Sequence, residues 1–324
     1  MRKFYQPNLF ILGTRGSELA LTQTRMVEAL LRKALPILDV EQKIIQTSGD
    51  QRQDLRFAEF AEATGGVIDK GIFIKELELA LEREEVDAAV HSLKDVPSDL
   101  GRQFVIAAVL ERANVEDVLI TASPCKSLKQ LPQGARIGTS SVRRMRQLKW
   151  MRPDVEVVEI RGNVPTRVRK VTGEDALDGV LLAAAGLERL GLLGVERDLI
   201  QLEEHRLHAL VLDNQEFLPA AGQGAIAIET LSGNDLARNQ VSGLNHAETE
   251  LRVKAEREFL RELGAGCQTP VGALTWIDGK RLHMRVRVFS ETDPERPPQE
   301  LHDSASVANP ISLARRLADQ VHPR

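Results

Sequence analysis

The sequence predicts an α/β protein with a separate α+β part at its C-terminal end. Up to Glu229, short apolar runs alternate with amphipathic helix patterns, an order typical of parallel sheets covered by helices. The last 80 residues instead read as a long helix, a hairpin and a final helix. At 324 residues the chain exceeds one ordinary core, since domains usually have about 100 to 150 residues.

The predicted strands follow one another with a loop and then a helix between most of them. The strand segments are "NLFIL", "DVEQKIIQTSGD", "VDAAVHSL", "ARIGT", "VEVVEI" and "DGVLLAAA". The helix segments begin after "GTRGS" and at "IFIKELELALERE", "SSVRRMRQLKW", "NVPTRVRKV" and "GLERLGL". Gln51 to Gly71 is polar and glycine-punctuated, which predicts a mobile loop. We expect the chain to return to the first sheet through "QGAIAIE", Gln223 to Glu229.

The C-terminal part begins with a helix over about His246 to Leu263, and Gly264 suits the position after its end. The hairpin "VGALTWI-DG-KRLHMRVRVF" has Asp278-Gly279 at its turn. A last helix follows Pro310. Cys267 lies in the loop between the long helix and the hairpin.

Composition favours a cytoplasmic globular protein. Hydrophobic residues make up 42% and charged residues 28%. Two cysteines cannot form a disulfide framework, which indicates a reducing compartment. The N-terminal apolar run is four residues, Leu9 to Leu12, whereas a signal peptide needs about 7 to 15. No window approaches the roughly 20 apolar residues of a membrane span.

A basic segment interrupts a chain whose net charge is −4. Arg136 to Lys170 holds ten Lys or Arg and three Asp or Glu, a local net charge of +7. This pattern indicates either an anionic partner or a solvated basic face.

Polar loops follow four predicted strands, where ligands of open α/β sheets bind. They hold Thr14, Arg15 and Ser17; His91, Ser92, Lys94 and Asp95; Thr139, Ser140 and Ser141; and Arg161, Gly162 and Asn163. Helices that begin at Ser or Asn offer N–H groups to an anion, and arginine matches a carboxylate. Arg143 and Arg144 lie in a first helical turn, where cations are unfavourable for the helix itself. That conflict points to a functional site.

Four other residues allow more than one interpretation. Asp95 is the acid of a basic loop, either a general acid/base or counter-ion, or a turn aspartate before Pro97. Cys267 is either a nucleophile or a small buried thiol, and its loop has no adjacent cation. His205 and His208 have metal-ligand spacing, but a solvated helix face is favoured. We assign no role to Cys125.

Seven segments together resemble the porphobilinogen deaminase (hydroxymethylbilane synthase) family. They run in family order from residue 13 to about residue 274: "GTRGSELALTQT", "GIFIKELELALEREEVDAAVHSLKDVPSDL", "IGTSSVRRMRQL", "IRGNVPTRVRKV", "LLAAAGLERLGL", "LPAAGQGAIAIE" and "LNHAETELRVKAEREFLRELGAGCQTPVGAL". "AVHSLKDVP" and the Gly-Cys-Gln loop are specific in combination.

The resemblance implies two periplasmic-binding-protein-like α/β domains and a third, cofactor-bearing α+β domain. We expect the first over residues 1–112 and 223–243, the second over 113–222 and the third over 244–324. It also implies a dipyrromethane cofactor joined to Cys267 by a thioether. Four porphobilinogen molecules are added to this primer with loss of ammonia, and water then releases hydroxymethylbilane. We expect a cytoplasmic monomer with no nucleic-acid, membrane or metal partner.

The resemblance also carries residue roles onto this chain. Asp95 matches the catalytic aspartate. The residues expected to hold the cofactor besides Cys267 are Ser17, Lys94, Thr139, Ser140, Ser141, Arg143, Arg144, Arg161, Gly162, Asn163 and Gln223. Those expected to hold substrate are Arg15, Ser17, Lys75, Arg161, Arg167 and Arg189.

The chain departs from the family pattern in one loop and at two single positions. The loop "GGVIDKG" is three residues longer than usual, so Lys70 is an uncertain match for the family's loop lysine. Gly16 and Glu18 stand where glutamine and proline are common. Two alternatives remain: an anion-binding module without catalysis, and a transferase whose Cys267 turns over as a nucleophile.

Overall fold

The computed structural model describes residues 8–47, 74–265 and 269–321. The chain divides into two compact units, Met1–Arg112 with Ala225–Glu250, and Ala113–Gly224 with Leu251–Arg324. Together the described residues form three sheets. The α/β class with an additional C-terminal sheet is therefore confirmed. The finer division into three domains with the boundaries given above stays a prediction.

The first unit contains a five-stranded sheet in the order β2-β1-β3-β11-β4. Its strands are β1 (Leu9–Thr14), β2 (Asp39–Ile44), β3 (Ala88–Ser92), β4 (Phe104–Val109) and β11 (Ile226–Leu231). Its helices are α1 (Glu18–Ala34), α2 (Lys75–Glu82) and α6 (Asp235–Ser242). The return of the chain through β11 confirms the expectation for "QGAIAIE".

Helices cover both faces of this sheet because its buried strands carry apolar residues in both directions. In β3, Ala88 and Val90 pack with Val27 and Leu31 of α1. Ala89, which points the other way, packs with Leu77 of α2. This two-residue alternation is the ordinary geometry of a strand, and it places the loop after β3 at an edge between two helical layers.

The second unit contains a six-stranded sheet in the order β7-β6-β8-β5-β10-β9. Its strands are β5 (Asp117–Thr121), β6 (Arg136–Gly138), β7 (Glu156–Val158), β8 (Gly179–Ala183), β9 (Leu199–Leu202) and β10 (His205–Val211). Its helices are α3 (Val142–Met151), α4 (Val164–Val168) and α5 (Ala184–Arg189). Leu148 of α3 packs on one face of the sheet, and Val168 of α4 with Leu187 of α5 packs on the other.

The expectation of parallel sheets is only partly met, because both large sheets are mixed. In the first, β1 is parallel to β2 and β3, but β11 is antiparallel to β3 and β4. In the second, β6 is parallel to β7 and β8, while β5 and β10 are antiparallel to their neighbours. A buried apolar strand has the same sequence pattern in either direction, so the pattern did not reveal the reversal.

His205 and His208 correct another expectation, because they lie on β10 and not on a helix. Residues three apart on a strand point to opposite faces, so the helical spacing of metal ligands does not apply. Among the described residues, no group of three or more His, Cys, Asp or Glu could hold a metal ion.

The C-terminal part of the second unit is a three-stranded antiparallel sheet, β12-β13-β14. Its elements are α7 (Ala247–Glu262), β12 (Val271–Asp278), β13 (Arg281–Val288), β14 (Gln299–Ser306) and α8 (Pro310–Asp319). Phe259 of α7 and Leu313 of α8 fill the core on one face. Gly264 follows the end of α7 with φ +59°, as the sequence predicted. Asp278 pairs with Arg281 around a two-residue turn, and Gly279 has φ +57°.

The segment Phe217–Pro219 joins the two sheets of this unit. The Leu218 backbone exchanges hydrogen bonds with the Gln147 side chain of α3, at 2.8 and 2.9 Å. Gln147 also accepts a hydrogen bond from Arg287 of β13 at 2.9 Å. Ala273 of β12 donates to the Pro219 carbonyl at 2.9 Å. Helix α3 and the C-terminal sheet are thus fastened to the same short stretch of backbone.

Gly224 is required by a close backbone approach. It has φ +85°, and a Cβ there would lie 2.5 Å from the Ala113 carbonyl oxygen. Ala113 in turn donates its N–H to the Gly224 carbonyl at 3.1 Å. The two chain segments at this end of the unit therefore lie against each other with no room for a side chain.

We predict that Gly224→Ala lowers the free energy of unfolding by about 2 kcal/mol or more, because strain at positive φ adds to the clash. Gly233→Ala is the matched control, since a Cβ there meets nothing within 4 Å. Urea unfolding of both variants measures the difference. Equal stability of the two variants would show that the close approach is not rigid.

Candidate functional site

The loop after β1 presents Ser17 at the start of α1. The Ser17 Oγ accepts a hydrogen bond from the Ala20 N–H at 3.3 Å, as an N-cap residue does. Arg15 lies half-buried on the same loop. The sequence expected both to contact ligand, and the structure shows that Ser17 also has a structural role in the helix.

The loop after β3 presents Lys94 and Asp95 on a short turn, Leu93–Asp95. Both side chains are exposed. Buried Leu93 donates its N–H to the Ala225 carbonyl at 3.0 Å, which anchors the turn. Behind the turn, His91 Nε2 lies 2.9 Å from Glu229 Oε2 in a buried pair. The turn therefore rests on a packed base while its carboxylate stays accessible.

Lys75 lies on α2 of the first unit. It is the first residue of α2 and its side chain is exposed. Two residues further along, Leu77 is fully buried, so the helix is anchored while Lys75 faces outward.

The loop after β6 is held by its own hydroxyl groups. Ser141 caps α3 by accepting from the Arg144 N–H at 3.4 Å. The Ser141 N–H donates to the Thr139 Oγ1 at 3.2 Å, and the Ser140 Oγ donates to the Ile160 carbonyl. The three hydroxyl residues thus link β6 to the neighbouring loop and fix the start of α3.

The loop after β7 turns at Gly162, which has φ +99°. A Cβ added to Gly162 would lie 2.7 Å from the Thr166 Cγ2, so a larger residue would clash there. Asn163 caps α4 by accepting from the Thr166 N–H at 2.9 Å. Arg167 donates to the Gly162 carbonyl at 2.8 Å. Arg161 pairs with Glu159 at 3.0 Å and is partly exposed. Arg161 therefore lies within this tightly folded turn, and Arg167 of α4 is bonded to its backbone.

Arg143 and Arg144 are buried and meet at one carboxylate, Asp117. Arg143 donates to Asp117 Oδ2 at 2.7 Å and to the Leu218 carbonyl at 2.6 Å. Arg144 donates to Asp117 Oδ1 from Nε at 3.0 Å and from Nη2 at 2.7 Å, and to the Leu181 carbonyl at 3.0 Å. A buried counter-ion thus offsets the unfavourable place of two cations at a helix N-terminus.

Gln223 completes this cluster. Its side-chain amide donates to Asp117 Oδ1 at 3.0 Å and to the Val115 carbonyl at 2.7 Å. Three residues expected to bind the cofactor therefore converge on Asp117, which sequence reasoning missed. A signal was present, because an acid stands at the head of the apolar run "DVLIT", where burial would leave it without water.

The surroundings of Asp117 hold its carboxylate in the charged form. Burial acts to raise the pKa of Asp117, but the charges and hydrogen bonds of Arg143 and Arg144 outweigh it and keep the pKa well below its ordinary value. Burial lowers the pKa of Arg143, and Asp117 opposes that effect. The cluster contains two cations and one anion, so it keeps a surplus positive charge.

Arg189, at the end of α5, is the fifth predicted arginine of the second unit. Its Nη2 donates to the Gly224 carbonyl at 2.6 Å. Burial lowers the pKa of Arg189 to about 10, while Glu188 acts to raise it. The guanidinium therefore remains charged at neutral pH. Its Nε and that of Arg143 are buried without a hydrogen-bond partner among the described residues.

Each unit thus brings together part of the predicted set. Lys94 and Asp95 share one turn of the first unit. Arg143, Arg144 and Gln223 share one cluster of the second. Cys267 and Lys70 lie outside the described residues. A basic cluster with spare N–H donors, carried by an α/β scaffold, is typical of a protein that binds a carboxylate-rich ligand.

Comparison with known proteins gives the family. The porphobilinogen deaminase model for the dipyrromethane cofactor binding domain matches residues 10–239, and the model for the porphobilinogen deaminase C-terminal domain matches residues 250–321. The chain belongs to the porphobilinogen deaminase family, a family of transferases. This confirms the resemblance of the seven segments and the dipyrromethane cofactor that it implied.

Curated relatives match over most of their length. A porphobilinogen deaminase of Syntrophomonas wolfei is 46% identical over 285 residues, 88% of this chain and 86% of the relative. That of Syntrophus aciditrophicus is 42% identical over 310 residues, 95% of this chain and 94% of the relative. The match thus includes both units.

Solved structures that match this chain include the VFT2 domain of Bordetella pertussis BvgS. The match covers 78% of this chain and 96% of that chain, with 13% identity and a TM-score of 0.43. An arginine-specific periplasmic binding protein of Salmonella typhimurium matches with a TM-score of 0.36 and 10% identity over 73% of this chain and 91% of that chain.

We predict that Asp117→Asn lowers the free energy of unfolding by about 3 kcal/mol at pH 7, since it leaves buried guanidiniums without their counter-ion. Because the folded pKa of Asp117 is depressed, its contribution is present above the unfolded pKa of about 3.9 and is lost as pH falls further. The difference in free energy of unfolding between wild type and Asp117→Asn should therefore become smaller below about pH 4.

Denaturant unfolding at several pH values measures this gap. Asp175→Asn is the matched control, since Asp175 is an exposed carboxylate of the same unit, and this variant should give stability close to wild type at every pH. A gap that stays constant on acidification would contradict the depressed pKa of Asp117.

Proposed function

We propose that the chain catalyses the reaction of its family, the stepwise condensation of four porphobilinogen molecules with loss of ammonia and release of hydroxymethylbilane by water. The observation that carries this proposal is the family match over both units, together with the buried arginine cluster inside the matched cofactor domain. The match favours this transferase over an anion-binding module.

The residues of the second unit fit a dipyrromethane. Each of its two pyrrole rings carries an acetate and a propionate, so it requires several cations and N–H donors. A guanidinium has five N–H donors. Arg143 donates two side-chain hydrogen bonds and Arg144 three to other described residues, so both keep donors for a ligand.

The cofactor, when bound through Cys267, supplies the pyrrole carbon to which the first substrate unit is added. Because the tether makes one reactant part of the protein, each coupling needs only one molecule to diffuse in. We assign Arg143 and Arg144 to the carboxylates of the cofactor, with Lys94, Ser17 and the loops after β6 and β7. Both N–H groups of the Gln223 amide are donated to Asp117 and to the Val115 carbonyl, so we assign Gln223 to supporting the cluster that receives the cofactor. Arg15, Lys75, Arg161, Arg167 and Arg189 are assigned to substrate carboxylates.

Asp95 is the residue that we assign to the chemical step. Its carboxylate is exposed and therefore accessible to a substrate. The turn that carries it is held in place by the hydrogen bond from Leu93 to Ala225. Loss of ammonia from porphobilinogen leaves a cation on the substrate, and a carboxylate stabilises such a charge. The same oxygen atoms are suited to take up the pyrrole α-proton after coupling.

We also propose that the protein works as a monomer in the cytoplasm. Among the described residues, no helix is long and apolar enough to cross a membrane. Light scattering of the purified protein at several concentrations tests the monomer, and a mass that doubles on concentration would contradict it.

The proposed function is tested directly by incubating the purified protein with porphobilinogen. We expect release of ammonia and appearance of a linear tetrapyrrole that cyclises on standing. The intact mass of the denatured protein should exceed the sequence mass by one dipyrromethane. An active protein with the unmodified sequence mass would contradict the tethered cofactor.

We predict that Asp95→Asn keeps the cofactor mass but lowers kcat by about 100-fold or more, because the amide neither balances the cation nor accepts the proton. Asp99→Asn is the matched control, an exposed acid four residues further along. It should leave kcat near wild type. Rapid ammonia release by Asp95→Asn would remove Asp95 from the chemical step.

We predict that Cys267→Ser abolishes the added mass and the activity together, because a hydroxyl is a far poorer nucleophile than a thiol. The chain has two cysteines, so Cys125→Ser is the natural control and should retain both. If substrate label on Cys267 exchanges during turnover, the cysteine acts as a transient nucleophile and not as a tether.

A further inference from the structure

Asp117 is the point where three predicted cofactor ligands meet. The side chain is fully buried. It accepts four hydrogen bonds, three from the guanidiniums of Arg143 and Arg144 and one from the amide of Gln223. Arg143 and Arg144 are neighbours in the sequence, whereas Gln223 lies far from both. One carboxylate therefore organises groups from a helix and from the segment before β11.

The place of Asp117 in the fold makes it a rigid anchor. It is the first residue of β5, a strand in which every residue is buried. Its carbonyl accepts from the Leu212 N–H at 2.9 Å, and its strand pairs with β8 and β10. The carboxylate thus has a fixed position, and the longer side chains of Arg143, Arg144 and Gln223 bind to it.

Two guanidiniums packed side by side repel each other, and burial strengthens that repulsion. Asp117 supplies the attraction that keeps Arg143 and Arg144 adjacent. It neutralises one of the two charges and leaves the other, along with unused N–H donors and the buried Nε of Arg143. A cluster of this composition has the capacity for one further anionic group.

We propose that Asp117 is a positioning residue of this enzyme, which fixes the Arg143 and Arg144 guanidiniums in the arrangement that receives the cofactor carboxylates, while the Gln223 amide donates to Asp117 and supports that arrangement. It acts through the arginines and does not contact the reacting atoms. This inference rests on the proposed function for its role in the reaction, and on the geometry alone for its effect on the arginines.

The first experiment observes the arginines themselves. Protein with 15N-labelled arginine is prepared in a Cys267→Ser background, with and without Asp117→Asn, so that cofactor loading is the same in both. We expect the Arg144 Nε–H to exchange with solvent about 10-fold faster or more in the Asp117→Asn protein. Asp154→Asn is the control, because it should affect Arg152, whose Nε donates to Asp154 at 2.7 Å, and leave Arg144 unchanged.

The second experiment separates positioning from stability. In the Cys267 protein, Asp117→Asn should lower the fraction that carries the dipyrromethane mass. In the loaded fraction, kcat should fall by about 10-fold or more, because a small misplacement of a reacting group is costly. KM for porphobilinogen should change little. Asp117→Glu retains the charge and should regain part of the cofactor loading and part of the Arg144 protection.

The outcomes decide whether Asp117 positions the arginines for the reaction or only stabilises the fold. A folded Asp117→Asn protein with full cofactor loading and wild-type kcat would overturn the proposal, even if its melting temperature were lower. The proposal would also be overturned if the Arg144 Nε–H of the protein with intact Asp117 exchanged with solvent as fast as that of an exposed arginine. Absence of the cofactor mass from the wild type would instead contradict the proposed function, while the exchange experiment would still decide whether Asp117 holds the arginines.

Discussion

The buried carboxylate of Asp117 and the two guanidiniums around it are the interaction on which the rest of the second unit depends. Arg143 and Arg144 start a helix with two positive charges, an arrangement that a helix alone disfavours. The carboxylate reverses that balance, since a buried ion with several good hydrogen bonds recovers much of its lost hydration. Helix α3 can therefore begin directly after the hydroxyl-rich loop, with its basic side chains inside.

The same helix connects the basic cluster to the C-terminal sheet. Arg143 and Gln147 both donate to the Leu218 carbonyl, and β12 is bonded to Pro219 next to it. Since β12 begins at Val271, the segment that follows the cysteine loop is fastened to the backbone that holds Arg143. This junction therefore links the Asp117 cluster to the start of the C-terminal sheet by covalent bonds and hydrogen bonds.

Five of the six helices and seven of the eleven strands that the structure describes in the α/β part were predicted from apolar periodicity, and helix α6 and strands β4, β5, β9 and β10 were not. The direction of β11 was not predictable either, because a strand buried on both faces has the same pattern in either direction. The sequence predicts Ser17, Ser141 and Asn163 as ligands of an anion, and the structure shows that each caps its own helix. Both roles have the same sequence signal, a hydroxyl or amide residue just before a helix. Asp117 was missed because it lies outside the recognisable motifs and because its partners Arg143, Arg144 and Gln223 are 26, 27 and 106 positions away in the sequence.

The burial of the Asp117 cluster has a consequence for how the protein responds to salt. Dissolved ions screen charges that face water but reach buried charges poorly. Arg161, which is partly exposed beside Glu159, belongs to the first kind, and Arg143 and Arg144 belong to the second. Ionic strength thus acts differently on the two groups of arginines. Under the proposed assignments, added salt would weaken the binding of an incoming anion at Arg161 far more than the binding of an anion at Arg143 and Arg144.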